Sequence, residues 1–520
     1  MLWMLLVPAA VFVYLAVLHE NRLHAIRGRS RSIQFFERGL ARIHDQWAGK
    51  GETGDRFLDP AHPYARDLDL FGPASLFELL CTARTRAGEE TLAHWLLSPS
   101  SADEIRARHG AVQELSAEVR LREELYCLGE TVRASVHPEA LAEWGERKPS
   151  LSNRKIQIIT TVLAFLWIAA IASWAVFGLG TLALALSALN LAWSHRIHAR
   201  WDEAADKIEE ATHDLAVLAG VLRLIDEGQF RAEKLTGIQA RIKHAEFVPS
   251  EAIRRLDRIV GYLESRRNPA MRLLDVLTFW SAQCVFRAEK WQQEFGPHIR
   301  TWLSAVGEFE ALTSLAGYAF EHPNDAYPEL VEDGPVFNAV QMTHPLLPIG
   351  SAVRNDLKLG DGVQLIVLSG PNMAGKSTFI RSVGVNAVLA QCGAPVRARS
   401  LKMSQLAVAA SICVLDSLSG GTSRFYAEIR RLKVAEDLAA GEVPVLFLMD
   451  ELLSGTNSHD RLEGTRLIVR SLMQRGAIGI VSTHDLALAE IPNTMPGRAV
   501  NCHFEDRLED GKLIFDYTLK

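Results

Sequence analysis

No C-x-x-C pair occurs among the six cysteines of the chain, which stand at positions 81, 127, 284, 392, 413 and 502. That scatter excludes the usual zinc-binding spacings and a disulfide framework, and it places the bulk of the chain in a reducing compartment. Charge of one sign is also scarce. Lys and Arg number 56 against 62 Asp and Glu, a formal charge of -6, so the molecule as a whole is not a polyanion binder. No basic n-region precedes the first apolar stretch and no small-residue cleavage site is evident after it, which favours an uncleaved anchor over a cleaved signal peptide or a buried helix. Internal repeats and low-complexity tracts are absent as well. At 520 residues the chain exceeds one hydrophobic core, and with domains of about 100–200 residues it should hold two to four.

What is present is apolar content concentrated in two regions. Leu2 to Leu18 is an uncharged run followed by Arg22, Arg27, Arg29 and Arg31, the pattern of an uncleaved anchor with its N-terminus outside. Ile156 to Ser194 has no Asp, Glu, Lys or Arg. As a single helix it would be about 58 Å long, nearly twice the hydrocarbon thickness, so it is expected to fold back near Gly178 and Gly180. Arg147, Lys148, Arg154 and Lys155 flank one end and Arg196 and Arg200 the other, which predicts a transmembrane hairpin with both ends in the cytoplasm. Its second arm, Leu179 to Trp193, is short for a span.

The stretches on either side of that hairpin read as helical. Ser101 and Glu104 have capping-box spacing, and Ile105, Val112, Leu115 and Val119 continue one helical face. Arg254, Arg255, Arg258, Arg266, Arg267 and Arg272 cluster in the second stretch, where a solvated helix face balanced by acids is the simpler reading than a polyanion contact. From about residue 335 the texture changes. Val363 to Leu368, Val445 to Met449 and Ala477 to Val481 are short, uniformly apolar runs, the signature of buried parallel strands.

Chemistry-bearing residues follow those strands. Gly370-Pro371-Asn372-Met373-Ala374-Gly375-Lys376-Ser377, continued by Thr378, fits G-x-x-x-x-G-K-[ST] between a strand and an apolar helix. Glycines let successive N–H groups wrap an anion, Lys376 reaches the β and γ phosphates, and Ser377 ligates Mg²⁺. The second run ends in Asp450 and Glu451. Neighbours on a strand point in different directions, which suits Asp450 to the metal side and Glu451 to general-base work on water. The third ends in Ser482-Thr483-His484-Asp485, where His484 is a candidate γ-phosphate sensor. Gly420-Gly421-Thr422-Ser423 opens a charged helix and suits phosphate contact or simple capping equally.

Taken together these motifs resemble the MutS family. GPNMAGKST resembles the family's phosphate loop, with Ala374 where glycine is usual, and DELLSGTNSHDRLEG resembles its acidic-pair stretch. STHD matches the sensor-histidine position, Ser423-Arg424-Phe425 falls at the signature serine, and Thr343-His344-Pro345 with Asn355-Asp356 resembles the start of the ATPase domain. The family's adenine-stacking aromatic has no counterpart in Ala352-Val353-Arg354. A weaker match covers Leu76 to Pro99 through Thr85, Gly88, Leu92, Trp95, Leu96 and Pro99, and the mismatch-reading domain has no counterpart before residue 65.

The resemblance implies an α plus α/β chain that binds ATP with Mg²⁺ and hydrolyses it. Its expected layout is a transmembrane anchor (1–20), a helical MutS-core-like region (21–155), a transmembrane hairpin (156–194), a helical lever-like region (195–330) and an ABC-like P-loop ATPase domain (331–520). Glu451 and His484 are its expected catalytic residues, with Ser423 completing the site of a second chain in a homodimer. The expected location is the inner membrane, multi-pass, with the ATPase domain in the cytoplasm. Mismatch recognition is not implied, and DNA binding is left open. Two other classes were weighed. An ABC-type transporter half needs a larger bundle than three segments per chain supply, and these segments carry no intramembrane charge. A membrane-tethered DNA-binding scaffold sits poorly with the acidic balance.

Overall fold

Apolar residues at three- and four-residue spacing make the chain helical as far as residue 321. The computed structural model describes residues 3–128, 137–148, 154–178, 180–212, 215–267, 269–412, 424–485, 488–509 and 512–520. A long helix α1 (Trp3–Ile43) is followed by α2 (Leu76–Leu80), α3 (Arg86–Leu97), α4 (Ala102–Ala117), α5 (Val119–Cys127) and α6 (Pro138–Glu146). Next come α7 (Arg154–Phe177), α8 (Gly180–Ala211), α9 (Leu215–Glu227), α10 (Glu233–Ile242) and α11 (Pro249–Glu264). The helices α12 (Pro269–Thr278), α13 (Trp280–Phe295) and α14 (Ile299–Glu321) complete this part. Hydroxyl caps start the short helices: Ser75, Thr85 and Ser101 accept from Glu78 N, Gly88 N and Glu104 N at 3.2–3.3 Å. The face predicted from Ile105 to Val119 is interrupted at Glu118, so Val119 begins α5 instead of ending α4.

The expected membrane layout does not survive. The first apolar run is no separate anchor but the opening half of α1, which continues without a break through Arg22 to Arg31 and ends by pairing Arg42 with Glu321 of α14 at 2.6 Å. The expected fold-back is present, with α7 ending at Phe177, α8 starting at Gly180 and Trp167 Nε1 donating to Ser187 Oγ between them at 2.8 Å, but the two helices are unequal. Among the described residues only α7 is long and apolar enough to cross a membrane. The second arm is merely the start of α8, which runs on into the charged Asp202–Glu210 stretch, where Arg266 pairs with Asp202, Asp206 and Glu209. An apolar run marks where a helix is greasy but not where it stops, and in both places the helix outlasts the run. The multi-span architecture is therefore withdrawn, and so is the ABC-like label, which the sheets by themselves do not carry.

Strands begin with β1 (Glu329–Val331), β2 (Phe337–Met342), β3 (Asn355–Leu359) and β4 (Leu365–Ser369), and helix α15 (Lys376–Cys392) follows. After it come β5 (Ser400–Ser404), β6 (Ala407–Ser411), α16 (Arg424–Ala439), β7 (Val445–Asp450), α17 (Ser458–Gln474) and β8 (Ile478–Thr483). The last strands are β9 (Ala499–His503), β10 (Asp506–Glu509) and β11 (Lys512–Phe515). One sheet has the order β1-β5-β2-β3; the other, β6-β7-β8-β4-β9, is parallel throughout. The three predicted strand runs are β4, β7 and β8. Their residues alternate between two cores: Ile366, Leu368, Leu446, Leu448, Ile478 and Ile480 join the core shared with the helical region, while Leu365, Val367, Val445, Phe447 and Met449 face α16 and α17. Burial on both faces explains why the runs lack polar alternation.

The helical region and the parallel sheet meet along residues 63–69. Pro63 O accepts from Ala410 N of β6 at 2.9 Å, and fully buried Leu68 lies against Gly384 of α15, where a Cβ would stand 2.5 Å from Leu68 Cδ2. A second junction is polar. Tyr318 Oη donates to Asp325 (3.1 Å), which also pairs with Arg397, and Arg397 N donates to Asn386 Oδ1 of α15 at 2.7 Å.

Inside the helical part, α14 carries Glu310, fully buried against the start of α3, where its carboxyl accepts from Arg84 N (2.8 Å), Thr85 N (3.3 Å) and Thr85 Oγ1. Burial pushes this carboxyl up from 4.5 to about 7, against the pull of those donors. The folded state therefore holds the proton more tightly than the unfolded chain does. The group's contribution is complete below its unfolded value of 4.5 and is lost as pH rises through about 7. Glu310→Gln should flatten that part of the stability profile, by on the order of a few kcal/mol across the window. Urea midpoints followed by tryptophan fluorescence from pH 5 to 8 check this, and an unchanged slope would contradict it.

Candidate functional site

Parallel strands present their carboxyl ends at one edge, and three of these ends carry the sequence motifs. Asp450 lies opposite Ser482 across β7 and β8, and Ser369 lies opposite Thr483 across β4 and β8. The loop after β4, the acidic pair after β7 and His484 after β8 are thus brought side by side by register.

The loop from Gly370 to Gly375 uses its glycines for conformation. Gly370 has φ 142°, and a Cβ there would lie 2.8 Å from Phe504 O, while Gly375 has φ 97° and ends the loop as the N-cap of α15. Met373 also takes a positive φ, 68°, and is 85% exposed, whereas Ala374 is buried. Lys376 is buried along its stem, and its Nζ donates back to Gly370 O (2.8 Å) and Pro371 O (3.0 Å). The first N–H groups of α15 have no partner within the helix and open onto a cavity of about 610 Å³. Asn372, Met373, Gly375, Lys376, Ser377, Thr378 and Glu451 all line it.

Asp450 ends β7, and Glu451 begins the turn that follows it. Asp450 does not line the cavity; its Oδ1 accepts from Ser482 Oγ, which in turn accepts from Glu451 N at 3.1 Å. Glu451, with φ 50°, turns its side chain into the cavity, and its Oε1 lies 3.2 Å from His484 Nδ1. His484 is half-exposed and reaches the site through Glu451. Ser423, with Gly420 to Thr422, lies outside the described residues.

Sequence reasoning missed the far wall. Tyr517 lines the cavity at 44% exposure, beside Val353 and Phe504, and would sit 3.1 Å from a Cβ on Gly375. Asn355 fixes the segment that carries it, donating to Tyr517 O (3.0 Å) and accepting from Leu519 N (2.7 Å). Phe504 is placed by β9 and by its N–H donating to Ser369 O at 3.0 Å. In sequence Tyr517 only continues the alternation of Leu513 and Phe515 just past β11, which marks a strand and says nothing of a cavity.

A phosphate-type loop between a buried parallel strand and a helix, with an acidic strand end beside it, defines the P-loop class of α/β domain. Residues 366–520 match the model of MutS domain V and contain all the motif residues from Gly370 to His484. The DNA mismatch repair protein MutS of Lactobacillus johnsonii is 30% identical over 229 residues, covering 43% of this chain and 26% of that protein. The MutS protein of Aquifex pyrophilus is 31% identical over 225 residues, 41% of this chain and 25% of that protein. The DNA mismatch repair protein MSH3 of Phaeosphaeria nodorum is 31% identical over 229 residues, 42% and 20%. The C-terminal part of the chain is thus similar to domain V of the MutS family, and the chain spans about a quarter of the length of the curated relatives it matches.

The loop's geometry gives one test that needs no ligand. Gly370→Ala must place a Cβ against the Phe504 carbonyl in a conformation that L residues rarely adopt, at a cost of about 1–3 kcal/mol. Thermal unfolding should show a lower midpoint, and a midpoint equal to wild type would remove the constraint.

Proposed function

We propose that the C-terminal half binds ATP with Mg²⁺ and hydrolyses it, and that the nucleotide cycle works through a homodimer. The observation that carries this reading is the placement of Glu451: with its backbone N–H donating to Ser482 Oγ and its carboxylate beside His484, it lines a cavity that Lys376 and Ser377 at the start of α15 also line.

Each residue then has a task. The α15 N-terminus, with its exposed N–H groups and partial positive charge, attracts the phosphates, and Lys376 exchanges its two loop carbonyls for phosphate oxygens. Tyr517, with Val353, offers an apolar wall for the adenine that Ala352-Val353-Arg354 alone does not provide. Mg²⁺ would neutralise phosphate charge; Ser377, which lines the cavity, would hold it directly, and Asp450, hydrogen-bonded to Ser482 behind the cavity wall, would reach it through water. Two oxygen donors fit an ion that is usually bound by one or two protein groups plus phosphates and water, and no cluster of three or more His, Cys, Asp or Glu competes among the described residues. Glu451 accepts the proton of the attacking water, while His484 orients that carboxylate and senses the γ-phosphate.

The homodimer follows from the family resemblance; at the cavity itself Met373 is 85% exposed. The role of Ser423 in closing the partner's site follows from the family resemblance. The names of the relatives concern DNA mismatch repair, but matched residues amount to a quarter of those proteins, and DNA is not part of this reading.

Lys376→Ala should abolish nucleotide binding, read with a fluorescent ATP analogue. Glu451→Gln should keep binding while turnover falls about 10²–10⁴-fold. Equal loss of binding in both would overturn the role assignment, and normal turnover in both would overturn the ATPase reading. For the dimer, mixing Lys376→Ala chains with Ser423→Ala chains should restore hydrolysis through one complete site. Mixed dimers no faster than either parent would remove the trans role of Ser423.

A further inference from the structure

Asp67 is fully buried in the segment that the helical region lays across the edge of the parallel sheet. Its two oxygens have separate partners. Oδ1 accepts from Ile412 N, just beyond β6, at 2.8 Å, and Oδ2 pairs with the Arg431 guanidinium on α16. Asp69, two residues on, pairs with Arg381 of α15 at 3.0 Å, so the same short segment grips both helices that flank the site.

The contact continues toward the cavity. Glu428 lies three residues before Arg431 on α16, on the same face, and is itself buried. Its Oε1 accepts from Leu453 N. Leu453 and Glu451 both hold positive φ, 55° and 50°, a conformation that non-glycine residues keep only where surrounding contacts impose it. The turn that aims Glu451 into the cavity is therefore held from two sides: by Ser482, within the sheet, and by Glu428, on a helix whose position is set by a charge belonging to the helical region.

We propose that Asp67 is a positioning residue for hydrolysis: through Arg431 and Glu428 it fixes the turn bearing Glu451, so the rate depends on how the helical region sits against α16. This rests on the ATPase reading above. The pair suits such a link because the Asp67 carboxylate is fully buried and would be left with an uncompensated charge if Arg431, itself 19% exposed, moved away.

The test uses the full chain and five proteins: wild type, Glu451→Gln, Asp67→Asn, the neutral pair Asp67→Asn with Arg431→Gln, and Asp67→Asn with Glu428→Ala. Asparagine keeps the acceptor for Ile412 N and nearly the same volume, and the neutral pair leaves no uncompensated buried charge, so folding is protected in two ways. Binding of a fluorescent ATP analogue should stay within about threefold of wild type in Asp67→Asn and in the neutral pair, while kcat falls about 10- to 100-fold with little change in KM. Adding Glu428→Ala to Asp67→Asn should cost little more, because both act on one turn. Wild-type kcat in Asp67→Asn and in the neutral pair, while Glu451→Gln is slow, overturns this inference and leaves the ATPase reading standing. Parallel loss of affinity and kcat also overturns it, since that marks general damage. Absence of turnover in the wild type overturns both.

Discussion

The approach of residues 63–69 to helix α15 is the contact on which the arrangement of the whole chain depends. Leu68 can lie against that helix only because residue 384 has no side chain, and full burial of a leucine is worth about 1.5–3 kcal/mol. Around it the hydrophobic core runs without interruption from Leu76 and Leu92 through Leu312 and Leu315 to Val383, Val388 and Leu448. Helical region and sheet therefore share one interior, and the helix that opens at the phosphate-type loop is packed on its other side by residues far earlier in the chain. The polar junction through Asp325, Arg397 and Asn386 adds direction to this packing, because a buried network that satisfies its members is met in one geometry only.

That shared interior explains which features could be read from sequence. The strands β4, β7 and β8 and the loop from Gly370 to Lys376 were legible because each is a local pattern, a short apolar run ended by residues of unmistakable chemistry. Asp450 and Glu451 were legible as a pair of acids closing a strand, but what sends Glu451 into the cavity is the positive-φ turn just past β7, which no sequence pattern records. Tyr517 was not legible: it reaches the cavity through Asn355, 162 residues earlier, and no local pattern records a contact of that span. Asp67 is hidden still more thoroughly, with partners 345 and 364 residues away.

Apolar runs misled where they were counted as whole elements. Within those runs, residues 3–18 lie in α1 and residues 180–193 in α8, and each helix continues into arginines, aspartates and glutamates that pair elsewhere in the fold. Composition states how apolar a segment is; helix ends are set by caps, by breaks such as the one at Glu118, and by partners that sequence windows do not see.

The backbone bond from Ala410 to Pro63 has a practical side. A parallel sheet must end somewhere, and its last strand, β6, offers amide groups to any chain that can reach them; here the helical region supplies the carbonyl of Pro63 and the carboxylate of Asp67. Expressed without that covering, the nucleotide-type half would present an open edge next to the vacated groove of Leu68, the combination that recruits other strands and precipitates. The sheet is thus not a detachable module, and attempts to isolate it are best made with residues 63–69 retained.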